Sequence, residues 1–185
     1  DFLLAIPSDI RYADYNLNFH NQPVDVPGHF IKNTTYHLDL IPDYERLQSG
    51  YAENTRRNIR KAEKYGITVA KGMQVNTLIQ FKQKTSVGND PDDVYDRLRQ
   101  LVSRMLMKGM GEIYGAYTKS NELCAAAFFG FSHAYGYMLV AASNSEGKEL
   151  SAMFLLIDSF IRDHSGKPVT LDFEDGGPVE RFMLG

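Results

Sequence analysis

Residues 123–145 read LCAAAFFGFSHAYGYMLVAASNS and carry no Asp, Glu, Lys or Arg. By length alone, this uncharged stretch would qualify as a membrane-spanning helix. The small polar segment Ser132-His133-Ala134, however, divides it into Leu123–Phe131 and Tyr135–Ala142. Two short runs rich in alanine and aromatic side chains around a polar turn are typical of adjacent buried strands. We therefore predict two neighbouring strands here and no membrane span.

The segments on either side of this pair alternate between strand and helix patterns. Apolar side chains recur with period two in the expected strands and with a period near 3.6 in the expected helices. The further strands are Thr34–Ile41, Ile67–Ala70, Glu112–Thr118 and Pro168–Phe173, and the helices are Asp43–Gln48, Asn54–Tyr65, Val75–Lys84, Pro91–Lys108 and Leu150–Arg162. This order predicts an α+β fold, with a mixed, mostly antiparallel sheet flanked by helices.

Composition limits the class of protein. The 185 residues are 43% hydrophobic and 23% charged, proportions that are average for soluble globular proteins and exclude a disordered tail or a coiled-coil rod. A net charge of −3 excludes a polycation built for nucleic acid. The single cysteine, Cys124, cannot form an internal disulfide, and the histidines lack metal-ligand spacing. We expect a cytoplasmic location and no bound metal.

The N-terminal residues differ from the rest of the chain. Residues 1–33 contain Pro7, Pro23, Pro27 and Gly28, with aromatic side chains scattered among them. We interpret them as an irregular segment, compatible with the end of a preceding domain, and residues 34–185 as the main domain.

A basic helix is the first candidate site. The segment from Tyr51 to Gly66 carries five cations and two acids. Its cations form two adjoining rows, because residues three and four apart share a helix face. The candidates for binding phosphate oxygens are Asn54, Arg56, Arg57, Arg60 and Lys61, with Asn58 as a further neutral donor and Asn54 also the expected helix cap. The alternative is a solvated surface helix.

The segment 142–151 is the second candidate, since it joins a buried strand to a helix. Such a junction offers backbone N–H groups and the positive end of a helix dipole to an anion. Ser143, Asn144 and Lys148 would add side-chain donors. The alternative is an ordinary capped loop, because Ser and Asn also favour helix caps.

Acidic residues at the end of the last strand are the third candidate. Asp172 and Glu174 project to the same face of a strand. A carboxylate at a strand end near a cleft can accept the proton of an attacking amine. The alternative is turn chemistry or an ion pair with Arg181.

Together these motifs resemble a known family. The run Asn54–Lys64 followed by Gly66-Ile67, and the C-terminal Leu171-Asp172-Phe173-Glu174 and Arg181-Phe182, resemble FemAB/FemX-like proteins of the GNAT (acyl-CoA N-acyltransferase) superfamily, in a bacterial branch. The resemblance spans about residues 34–185 and implies a GNAT-like fold.

The resemblance also implies a reaction, the transfer of an acyl or aminoacyl group to an amine acceptor. The donor would be acyl-CoA or an aminoacyl-tRNA, with Asp172 or Glu174 as the base and backbone donors near 141–143 polarising the carbonyl. The usual glycine loop of GNAT enzymes, Arg/Gln-x-x-Gly-x-Gly/Ala, is absent from 143–151. A non-catalytic domain of the same fold, binding a phosphorylated ligand or a protein partner, is therefore the alternative.

Overall fold

The computed structural model describes residues 5–13, 15, 17, 29–31, 34–86, 88 and 91–173. Contacts divide the chain into two compact units, residues 1–33 and 34–185. In the first unit, the Ile10 amide donates to the Pro7 carbonyl (3.1 Å) and closes a turn. The elements of the second unit are β1 (His37–Asp39), α1 (Tyr44–Ser49), α2 (Glu53–Lys64), β2 (Thr68–Lys71), α3 (Val75–Thr85), α4 (Asp92–Met107), β3 (Gly111–Tyr117), β4 (Leu123–Ser132), β5 (Tyr135–Ser143), α5 (Ser145–Glu149), α6 (Ala152–His164) and β6 (Thr170–Asp172).

The strands form one six-stranded sheet in the order β1-β6-β5-β4-β3-β2. The predicted pair of buried strands is confirmed as the antiparallel hairpin β4–β5. His133 and Ala134 between them have φ of 50° and 64°, and a type I′ hairpin turn needs positive φ at both central residues. In the described part of the chain, no helix has the length and apolar character that a membrane crossing requires.

Helices pack on both faces of the sheet. Adjacent residues of a strand point to opposite faces, and Phe128 and Phe129 of β4 follow this rule. Phe129 stacks on Phe160 of α6 (3.8 Å between ring centroids) in the core that also includes α1 and α2. Phe128 packs with Leu78 of α3 and Val102 of α4 in a second core. This layered α+β architecture confirms the predicted fold class.

Helix α2 differs from the prediction at its start. It begins at Glu53 with Ala52 as the N-cap residue, so Asn54 lies in the first turn and does not cap the helix. Its other end is as expected, because Gly66 has a φ of +74°, which favours glycine and ends the helix. Ile59 and Ala62 are buried, and the basic side chains occupy the remaining surface.

The helix predicted over Leu150–Arg162 is confirmed as α6, which begins at Ala152, and a separate short helix, α5, precedes it. Ser151 separates them, with φ 59° and ψ 32°, in the left-handed region. A left-handed residue cannot continue a right-handed helix, so the chain turns at this position. Since Ser151 is a buried non-glycine residue, the surrounding packing must hold this costly backbone conformation.

Candidate functional site

The two parallel strands of the sheet form a fork. Strands β5 and β6 pair over three rungs, ending at Tyr137↔Asp172. Beyond this rung, residues 138–143 of β5 have no strand partner on the β6 side among the described residues. At about 3.3 Å per residue, this free edge extends about 20 Å from the last rung to Ser143. It offers backbone donors and acceptors to an extended ligand.

A bulge lies on the free edge of β5. The register with β4 runs from Phe128↔Val140 to Phe129↔Met138, so Leu139 has no opposite residue. A bulge turns the local peptide groups away from the regular ladder, and such irregularities are common next to active sites. A peptide N–H turned in this way is suited to polarising a carbonyl group.

A lysine from α3 reaches the same edge. The Nζ atom of Lys82 donates to the backbone carbonyl of Ala141 (3.3 Å) in the unpaired part of β5. Its side chain is half-buried. This contact places a positive charge beside the fork, and the sequence analysis did not identify it because α3 is far from β5 along the chain.

Asp172 lies at the last rung before the fork opens. Its side chain is buried, and it accepts a hydrogen bond from the Thr35 hydroxyl (2.7 Å). Its other oxygen, Oδ2, lies 3.2 Å from Nε2 of His37 on β1. The register of β1 and β6 pairs His37 with Asp172 and so fixes this contact. The predicted base is therefore part of an Asp–His pair.

His37 is the functional candidate that the sequence analysis missed. Its side chain is 27% exposed, against 7% for that of Asp172. Its ring contacts that of Tyr135 edge-on, with 5.8 Å between the ring centroids, and Tyr135 stacks on Tyr137 with 5.9 Å between centroids. The Asp172 carboxylate lies within ion-pair distance of Nε2, so Nδ1 is the ring nitrogen that does not face this carboxylate. An imidazole oriented in this way can take a proton from an amine.

The β5–α5 junction has a well-defined structural role. Asn144 caps α5, since its Oδ1 accepts from the Gly147 amide (2.7 Å). A Cβ on Gly147 would lie 2.0 Å from the Cys124 carbonyl oxygen, so only glycine allows this approach to β4. The Cys124 thiol is buried there, and burial raises its pKa to about 11. It is therefore a packing residue and not a thiolate nucleophile.

A hydrogen-bond chain joins this junction to the basic helix. The Ser151 hydroxyl donates to Asn58 Oδ1 (3.1 Å), and Asn58 Nδ2 donates to Asn54 Oδ1 (3.4 Å). The same Asn54 oxygen accepts from Arg57 Nη2 (2.6 Å). Ser151, the last residue of the second candidate segment, is therefore linked to the first candidate site.

The other predicted site residues lie outside this hydrogen-bond chain. Arg56 and Arg60 line a cleft between α1 and α2, where Arg56 Nη2 donates to the Ser49 carbonyl (2.8 Å). Lys61 is exposed on α2, and Ser143 ends β5. Lys148 is in the last turn of α5. The predicted base Glu174 lies outside the described residues.

The described residues contain no group of three or more His, Cys, Asp or Glu side chains arranged to hold a metal ion. The candidate site consists of the free edge of β5, Lys82, and the Asp172–His37 pair.

Comparison with known proteins identifies the family. The model of the acetyltransferase (GNAT) domain matches residues 49–182. The chain belongs to this family. The match covers most of the second unit and both strands of the fork. It confirms the family and the fold that the motifs indicate.

Solved structures share this fold at low sequence identity. The crystal structure of FemX aligns with a TM-score of 0.61 and 14% identity, over 76% of this chain and 52% of that one. A conserved protein of unknown function from Bacteroides thetaiotaomicron aligns with a TM-score of 0.55 and 10% identity, over 77% and 50%. One from Staphylococcus epidermidis aligns with a TM-score of 0.52 and 10% identity, over 70% and 52%.

This chain thus spans about half the length of these solved structures. The similarity to FemX supports the fold of the FemAB/FemX-like branch. A search of the curated proteins found no match to the sequence.

Proposed function

We propose that this GNAT domain is an N-acyltransferase whose activated donor lies along the free edge of β5. The observation that carries the proposal is the fork, with a bulge on one arm and the Asp172–His37 pair at its base. An extended arm that ends in an acyl group would pair with backbone groups of residues 138–143. Its carbonyl would reach the bulge at Leu139.

The proposed step is a direct attack of an amine on the acyl carbonyl. The amine nitrogen forms a bond to the carbonyl carbon, and the bond from that carbon to the leaving sulfur or oxygen breaks. His37 Nδ1 takes one amine proton, while Asp172 stabilises the imidazolium that forms. The leaving sulfur or oxygen then takes up this proton from the imidazolium, which restores the neutral histidine. Glu174 remains the second candidate base from its position in the sequence.

The donor we favour is acyl-CoA, because a free strand edge fits a single narrow, amide-containing arm. Its phosphates would meet the β5–α5 junction and the basic helix, which the Ser151–Asn58 contact joins. The residues proposed to contact these phosphates are Ser143, Asn144 and Lys148 at the junction and Asn54, Arg57 and Lys61 on the basic helix. An aminoacyl-tRNA is the other donor to be tested, with its terminal phosphates on the same basic surface.

Thermal unfolding with each donor tests this proposal. Acyl-CoA thioesters are expected to stabilise the domain, by about 2.7 kcal/mol at a hundredfold excess over the dissociation constant. If only aminoacyl-tRNA stabilises the domain, the donor is aminoacyl-tRNA and not acyl-CoA. Stabilisation by neither would contradict the donor site.

A non-catalytic domain that binds a phosphorylated ligand is the second candidate. Three contacts favour it, because they already engage proposed site residues: Thr35 and His37 contact Asp172, and the Gly147 amide donates to the Asn144 oxygen. This alternative predicts equal stabilisation by acyl-CoA and by free CoA, with no acyl transfer to any amine.

A further inference from the structure

A cleft of about 290 Å³ lies between α1 and α2, within the second unit. Arg56, Arg60 and Glu63 line it from α2, and Glu45 lines it from α1. Ile59, which is 5% exposed, supplies an apolar surface. This volume is at the lower limit of the range for ligand pockets, about 300–1,000 Å³, so the cleft would hold one small molecule at most.

The charges of this cleft do not pair with one another. Among the described residues, no ion pair within 4 Å joins Arg56 or Arg60 to Glu45 or Glu63. The Nε atom of Arg56 is buried and has no hydrogen-bond partner in the described part of the chain. A buried donor without a partner costs stability, so protein groups do not fully satisfy the Arg56 guanidinium.

The combination of charges selects the kind of ligand. A phosphate or another dianion would meet two arginines but would be repelled by two nearby carboxylates. A simple cation would be repelled by the arginines for the same reason. A molecule with one carboxylate and one ammonium group satisfies both pairs, and the apolar surface at Ile59 can contact its side chain.

We propose that the cleft between α1 and α2 binds a zwitterionic amino acid. Arg56 and Arg60 bind the carboxylate, since a guanidinium matches a carboxylate with paired hydrogen bonds. Glu45 and Glu63 bind the ammonium group. This site is independent of acyl transfer at the fork.

An NMR titration of the 185-residue chain tests the proposal. The probes are the standard amino acids, followed by the N-acetyl and amide derivatives of the best binder. At least one zwitterion is expected to shift the backbone amide signals of α1 and α2. Each derivative has lost one charge and is expected to bind at least tenfold more weakly. This corresponds to a loss of about 1.4 kcal/mol of binding free energy.

Exposed positions on α2 provide the variants. Arg60→Gln and Glu63→Gln are each expected to weaken zwitterion binding at least tenfold. Glu63→Gln should not weaken the binding of the N-acetyl derivative, because that derivative has no ammonium group. Lys64→Gln removes an exposed charge outside the cleft and serves as the matched control.

Three results would overturn the proposal. They are the absence of amide shifts in α1 and α2 with every probe, equal binding of the zwitterion and its singly charged derivatives, and an equal effect of Lys64→Gln and Arg60→Gln.

Discussion

His164 is a buried histidine at the end of α6. Its ring stacks on Phe160 (4.2 Å), and its Nε2 lies 3.3 Å from Glu112 Oε2. Burial lowers the pKa of His164 below its ordinary value, although its contacts with the Phe160 carbonyl and Glu112 act in the opposite direction. Lys71 and Lys167 also lower this pKa through their charge. The folded protein therefore favours the neutral imidazole.

This lowered pKa predicts a dependence of stability on pH. The unfolded chain takes up a proton at His164 near pH 6.5, whereas the folded chain does so only at lower pH. The contribution of His164 is thus fully present above about pH 6.5 and is lost as the pH falls from there to the folded pKa. For one proton this slope cannot exceed about 1.4 kcal/mol per pH unit. Denaturant unfolding at several pH values measures it.

His164→Gln is expected to remove this part of the pH dependence. His133→Gln, which changes an exposed histidine of the β4–β5 turn, is the matched control and should keep it. If both variants have the pH profile of the original chain, burial of His164 does not contribute to stability as described.

Single residues also show the limits of sequence interpretation. Asp172 could be identified as a candidate because an acidic residue ended an apolar strand. Its contacts with Thr35 and His37 could not be predicted. Thr35 is 137 positions away from Asp172 in the sequence, and the β1–β6 register creates the contact with His37. Asn54 was an attractive cap, yet Ala52 is the cap position, and the Asn54 oxygen accepts from Arg57.

At the scale of elements, a buried carboxylate joins α1 and α6. Asp158 of α6 is fully buried and accepts from the hydroxyls of Tyr44 (2.8 Å) and Tyr51 (3.0 Å). Arg162 Nη2 lies 3.2 Å from its other oxygen. Burial raises the pKa of Tyr51, and the neighbouring charge of Asp158 adds to this, so the hydroxyl stays protonated and donates.

Tyr51→Phe is expected to destabilise the domain by about 1.5–3 kcal/mol, because it removes a hydrogen bond to a buried charged group. Denaturant unfolding measures this loss. Tyr65→Phe removes a hydroxyl from a side chain that is 51% exposed and should change stability by less than about 0.5 kcal/mol. Equal effects of the two variants would contradict the proposed role of the network.

Helix α3 is expected to contribute to the fork through one lysine. Lys82→Gln removes the charge beside the Ala141 carbonyl and is predicted to lower the affinity for acyl-CoA at least tenfold, or by about 1.4 kcal/mol. Lys84→Gln, an exposed charge on the same helix, is the matched control. Calorimetry measures the affinity of each variant for acyl-CoA. A similar loss of affinity in the two variants would show that the effect comes from net charge and not from the position of Lys82.

Elements themselves were largely predictable. The interruption at Ser132-His133-Ala134 located the central hairpin, and apolar periodicity located α3 and α4. The break between α5 and α6 was not predictable, since Ser151 has no sequence feature that requires a left-handed backbone. Tertiary contacts, including the bond to Asn58, accompany that conformation.

At the scale of the whole molecule, the net charge of −3 conceals an uneven distribution. The basic side chains of α2 have two environments, because Arg57 joins the chain of bonds to Ser151 and Arg56 and Arg60 line the α1–α2 cleft. Asp172 pairs with His37 at the other end of the free edge, about 20 Å from Ser143 along β5. The Asp172 rung and Ser143 are thus separated along one strand, an arrangement that suits an extended donor.

The most direct test of acyl transfer at the fork is the release of free thiol from acyl-CoA in the presence of a panel of amines. The account predicts amine-dependent release, with kcat/KM lowered by about 10²–10⁴ in His37→Gln. Asp172→Asn and Glu174→Gln distinguish the candidate bases, and His133→Gln is the control for the loss of a histidine. Absence of amine-dependent thiol release, or equal rates in His37→Gln and the original chain, would contradict the account.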